Sequence, residues 1–131
     1  MKKQQRILLI EPDKLLASTY AKAFELTKLK VDCESDAQGA ISYIDTKHPD
    51  LIVLELQLAK HNGVEFLYEL RSHSDLQQIP IILHTVIPVT DLHLTQQVQD
   101  QLGIVEYLYK PQTTLEELIS KVAASLSRVR V

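Results

Sequence analysis

DLIVLELQLAKHNG, residues 50–63, is the stretch whose reading decides the fold. Leu51 to Leu54 is an unbroken apolar run that stops at a carboxylate, Glu55, and Asn62-Gly63 closes a loop before a helical pattern resumes. A strand buried on both faces reads as a continuous apolar run, because neither set of alternating side chains meets water. In an open α/β sheet, ligands gather beyond the carboxyl ends of the strands. Glu55 stands at such an end, so the functional site is expected there.

Working outward, similar apolar runs occur at Ile7–Ile10 and Ile79–Leu83, separated by segments of helical period. Lys30–Glu34 alternates polar and apolar residues, with Val31 and Cys33 on one face, as a half-exposed edge strand does. Tyr107–Tyr109, after Gly103, supplies a short fifth strand. Capping residues place the helices. Asp13 caps a helix over Lys14–Leu26 whose Leu16, Tyr20 and Phe24 share a face. Ser35 with Gln38 forms a capping box for a second helix that Pro49 stops, and Asn62 with Glu65 does the same for a third. Thr90 or Asp91 caps a fourth, carrying Leu94, Val98 and Leu102 and ended by Gly103, and Thr114 with Glu117 caps the fifth. Five strands alternating with five helices predict an α/β fold: a (βα)5 doubly wound, flavodoxin-like sandwich around a five-stranded parallel sheet of order 2-1-3-4-5. That order puts Glu11 and Glu55 across one crevice.

The 131 residues suit one domain over 1–131, with its core at about residues 5–127. A net charge of −3 gives no electrostatic case for nucleic acid. The run Ile7–Ile10 is far too short for a signal-peptide core or a membrane span, and the lone Cys33 cannot form an internal disulfide. A cytoplasmic protein without a membrane partner is expected, with Cys33 serving strand packing.

Polar groups fall at four strand ends on one edge of the sheet: Glu11 and Asp13, Glu55, Thr85, and Lys110 before Pro111. Carboxylates hold hard cations, while hydroxyl and ammonium donors hold phosphate oxygens. Converging, they suit a divalent cation and a phosphoryl group.

In order and spacing, ILLIEPD, DLIVLEL with HNG after it, PIILHT and GIVEYLYKP resemble the receiver domain of two-component response regulators over essentially the whole chain. The resemblance implies a phosphorelay signalling protein rather than an enzyme. It assigns metal binding to Glu11 and its neighbour, the phosphoacceptor position to Glu55, switch roles to Thr85 and Tyr107, and the phosphate contact to Lys110. It also implies Mg2+ as the cation, a histidine kinase or downstream target as partner, and helix four, strand five and helix five as the contact face or a homodimer interface. Tyr107 and Tyr109 fall on that face, beside the glutamines of the fourth helix.

Two positions depart from the family pattern. Glu55 stands in place of the acceptor aspartate, and Pro12 stands where a second metal-binding acid is expected, with Asp13 one position further on. A glutamate extends its carboxylate by one methylene, whereas Mg2+ demands near-octahedral oxygen geometry and in-line transfer a well-placed nucleophile. The resulting expectation is a receiver degenerate at its acceptor site that acts through protein contacts independent of phosphorylation, with Mg2+ bound weakly if at all. One alternative is a working acceptor using Glu55 or Asp13. Another is a small-molecule-binding flavodoxin-like domain, which needs a phosphate loop that EPDK does not supply. Lys110 and Glu55 have a plain structural reading as an ion pair. A transition-metal site from His61, His84, Glu11 and Glu55 would require ligand spacing that the five histidines lack.

Overall fold

The computed structural model describes residues 4–58, 62–73 and 79–129. Its strands are β1 Arg6–Ile10, β2 Lys30–Glu34, β3 Leu51–Leu54, β4 Ile81–Thr85 and β5 Ile104–Tyr109. Its helices are α1 Lys14–Glu25, α2 Ala37–Lys47, α3 Gly63–Arg71, α4 Gln96–Gln101 and α5 Leu115–Val129. All five strands are parallel, in the order β2-β1-β3-β4-β5, so the expected flavodoxin-like topology is present.

The central strands carry near-continuous apolar runs because both faces of the sheet are covered. Leu8, Ile10, Ile52, Leu54, Ile81 and Leu83 point to the side packed by α2 and α3. Ile7, Leu9, Leu51, Val53 and Ile82 point to the side of α1 and α5, against Phe24, Leu118 and Val122. Every one of these strand residues is almost wholly withdrawn from water. On the edge, β2 stays partly solvated. Its Asp32 accepts hydrogen bonds from Arg6 of β1 and from the Tyr43 hydroxyl of α2, which ties the outermost strand to the layers behind it.

Several boundaries differ from the sequence reading. The fourth strand begins at Ile81 rather than Ile79, since Pro80 has no N–H: its carbonyl accepts from Ile52, and the first amide donated to β5's side is that of Ile81, to Gly103. β5 extends back to Ile104, with Val105 exposed on the sheet edge. Asp36, not Ser35, caps α2, its carboxylate accepting the Gly39 amide at 2.8 Å, and left-handed His48 ends that helix just before Pro49. Neither Thr90 nor Asp91 caps α4. Pro88 leads into a 3-10 turn over Val89–Asp91, His93 turns left-handed, and Thr95 caps the short helix from Gln96. Leu94, Val98 and Leu102 still pack on the core as expected. Thr114 and Glu117 form the reciprocal capping box at α5. Cys33 is exposed as a residue, while its Sγ reaches the Ala17 carbonyl of α1 at 4.0 Å.

Candidate functional site

The register Ile10↔Leu54 carries β1 and β3 to the same height, and the Glu55 amide donates to the Ile10 carbonyl at 3.0 Å. Glu11 and Glu55 therefore emerge side by side where those strands end. Thr85 ends β4 beside Tyr109, and Lys110 follows β5 directly. Glu11 and Glu55 are each only 3% exposed, and Thr85 is wholly buried. Charged groups withdrawn this far from water must be paired.

They are paired with one another. Lys110 Nζ donates to Glu11 Oε1 at 2.6 Å and to Glu55 Oε1 at 2.8 Å. Glu55 Oε1 also accepts the Val86 amide at 3.1 Å, while Oε2 accepts the Gln57 amide at 3.0 Å and the Thr85 hydroxyl. A carboxylate has about four lone-pair sites, and here four donors meet them. Burial pushes the Glu55 carboxyl up, but the Lys110, Thr85 and Gln57 hydrogen bonds outweigh it and hold the group below its ordinary range. Burial lowers the Lys110 ammonium, and its two glutamate partners outweigh that and raise it. Both groups are thus held in their charged forms.

From Glu55 the bonding continues away from the crevice. Thr85 Oγ1 accepts the Ile87 amide at 3.1 Å, and the Tyr107 hydroxyl donates to the Ile87 carbonyl at 2.6 Å. Tyr107 is half-buried, its ring against the α2–α3 side of the core. One peptide segment after β4 is therefore gripped at its N–H by Thr85 and at its carbonyl by Tyr107.

Asp13 lies at the mouth of the crevice, but its Oδ1 caps α1 by accepting the Leu15 and Leu16 amides at 3.0 and 3.1 Å. Glu11 Oε2 in turn accepts the Asp13 amide at 3.0 Å. Pro12, which also lines the crevice, has no side-chain donor or acceptor. His84 is buried one residue before Thr85, edge-on to Tyr20 at 5.2 Å between ring centres. Burial first, and the Lys110 charge second, push its imidazole down to about 4, so it is neutral at pH 7. His61 lies outside the described residues, and among those described no group of three or more His, Cys, Asp or Glu is placed to hold a metal ion.

The response regulator receiver domain family matches residues 7–123. This chain belongs to that family. Among solved structures, the receiver domain is similar to a two-component response regulator from Clostridium difficile, at 28% identity and a TM-score of 0.80, covering 98% of this chain and 100% of that one. A sensor protein from Polaromonas sp. JS666 shares the fold, at a TM-score of 0.85 and 20% identity over 97% of this chain and 99% of that one. Response regulator MprA of Mycolicibacterium vanbaalenii is 28% identical, matching 94% of this chain and 51% of its own length. A protein-glutamate methylesterase/protein-glutamine glutaminase of Treponema denticola is 27% identical over 94% of this chain and 35% of that protein. The receiver domain therefore spans about a third to a half of the curated relatives it matches. No helix among the described residues is long and apolar enough to cross a membrane.

Glu11, Glu55, Thr85 and Lys110, picked out at strand ends, come together in one cluster. Tyr107 joins it through Ile87, while Asp13 is engaged in capping. The sequence reading missed the Gln57 and Val86 amides and both polar groups of Ile87. Every residue but proline carries such backbone groups, so nothing in the sequence distinguishes these.

Proposed function

We propose that this receiver domain signals without accepting a phosphoryl group, with Glu55 acting as a built-in, partial imitation of a phosphorylated aspartate. The observation that carries the reading is the donor set around Glu55. A hydroxyl, an ammonium and two backbone amides converge on its carboxylate, the kind of donors that hold phosphoryl oxygens. The longer glutamate side chain delivers its oxygens to those donors directly. Its lone pairs are engaged, which leaves a poor nucleophile. The imitation is partial because a carboxylate carries one negative charge where a phosphoryl group carries nearly two.

The chain Glu55–Thr85–Ile87–Tyr107 supports transmission from the crevice toward the neighbouring surface. That surface is made of α4, β5 and α5, and on this reading it engages a histidine kinase, a downstream target or a second copy of the chain. The domain itself acts by contact and performs no chemistry.

Incubation with acetyl phosphate or beryllofluoride and Mg2+, followed by intact-mass measurement and NMR, tests the reading. The mass should stay unchanged and the Val86 and Ile87 amides should not move. A gain of one phosphate would make Glu55 or Asp13 a working acceptor instead.

A further inference from the structure

The receiver resemblance implies a divalent cation in the crevice between the first and third strands, and among the described residues the side chains found there do not form a site for one. Mg2+ needs several oxygens at about 2.0–2.1 Å in octahedral array. Of the acids lining the crevice, Asp13 sits at its mouth and commits its Oδ1 to the α1 amides, and Pro12 contributes no side-chain ligand. Glu11 and Glu55 are the buried pair. Lys110 Nζ lies between them, 2.6 Å from one carboxylate and 2.8 Å from the other.

We infer that Lys110 is the resident cation of this crevice: its ammonium bridges Glu11 and Glu55 in the place of a divalent ion, so the closed geometry requires no metal. Charge supports the substitution. Between the two buried carboxylates the ammonium cancels one of the two negative charges and stands where a doubly charged ion would have to enter, so it repels that ion at close range. Without Lys110 the same two carboxylates carry two uncompensated charges, which one divalent ion would neutralise. Glu11, on this view, is a positioning residue that holds Lys110 against Glu55 from the opposite side. Lys110 thus decides whether the crevice admits metal.

Occupation of the crevice by Lys110 is independent of the phosphorylation reading, whose failure would show as added mass. Its test is titration with Mn2+ alone, read by paramagnetic broadening of the Gln57 and Val86 amides and by Tm. The wild-type chain should show neither broadening at those amides nor a Tm rise at low-millimolar Mn2+. Lys110→Met should show both, with an apparent affinity about tenfold or more tighter. Lys110→Arg, which keeps a cation, should behave as wild type, and Glu11→Gln added to Lys110→Met should abolish the gain. Should Lys110→Met fail to fold in metal-free buffer, Mn2+ should restore the fold. Crevice broadening in the wild type at the same concentration, or no response of Lys110→Met, folded or unfolded, would overturn the inference.

Discussion

Lys110 Nζ lies 2.8 Å from Glu55 Oε1, with the two side chains 12% and 3% exposed. A partly exposed pair, the expectation for a lysine and an acid meeting at strand ends, contributes no more than about 1 kcal/mol. Burial changes the consequence of breaking it. Removing one partner leaves the other charge unpaired in a poorly solvated place, at a cost of roughly 3–5 kcal/mol. Lys110→Met should therefore lower the metal-free urea midpoint severely, whereas an exposed lysine such as Lys22 changed to Met should leave it nearly unmoved.

The pair also sets a pH window. Glu55's folded pKa lies below its unfolded value, so its contribution is present above the unfolded pKa and lost as pH falls through the folded one. Lys110's folded pKa lies above its unfolded value, so its contribution is present below the unfolded pKa and lost as pH rises through the folded one. Urea midpoints should be sustained by this pair across neutral pH and fall at both extremes. Lys110→Met should lose the alkaline decline attributable to Lys110.

His84 should add a separate slope on the acid side. Its folded pKa of about 4 lies below the ordinary 6.5, so below pH 6.5 the unfolded chain takes up a proton that the folded chain refuses. Stability should decline between those two values, by about 3 kcal/mol in all, and this component should flatten beneath the lower one. His84→Leu should remove the slope between pH 5 and 6.5. Persistence of the full slope in that variant would assign it elsewhere.

Tyr107→Phe deletes the hydroxyl that holds the Ile87 carbonyl while keeping the packed ring. The global stability loss should be about 1 kcal/mol. Amide exchange should quicken locally, over Val86 to Leu92, while the β1 and β3 amides keep their protection. Uniform exchange changes across the chain would show the hydroxyl to be a general brace rather than a local one.

Gly103 should not tolerate a side chain. Its φ of +79° favours glycine, and a Cβ there would meet the Arg71 guanidinium, whose Nε donates to the Leu102 carbonyl at 2.8 Å. Gly103→Ala should cost about 1–3 kcal/mol, through backbone strain and displacement of Arg71 from the turn between α4 and β5. Gly103→Ala combined with Arg71→Ala should show a coupling in a double-mutant cycle. Strict additivity would mean that backbone strain alone sets the cost.

The sheet was legible because burial on both faces demands uninterrupted apolar runs. Ile7–Ile10 and Leu51–Leu54 announce themselves, and parallel connections of this length allow few topologies. Caps were legible where one residue type is needed at one place, as at Asp13, Asn62 and Thr114. They were misread where neighbours compete. Ser35 and Asp36 both suit an N-cap, and the choice falls to whichever backbone is extended as the chain leaves β2. Thr90, Asp91 and Thr95 compete likewise, and the left-handed turn at His93 settles that choice.

At the site, the strand-end side chains Glu11, Glu55, Thr85 and Lys110 could be picked out from sequence, since strand ends in an open parallel sheet share one edge. That one ammonium would bond both glutamates could not. It depends on the β1–β3 register and on the reach of Lys110 across the sheet, distances that belong to the folded backbone and not to any local pattern. The Val86 and Gln57 amides that complete the Glu55 shell, and the grip on Ile87 from both sides, were equally invisible. Main-chain donors are the same at almost every position, so only the tertiary structure decides which of them meet a carboxylate.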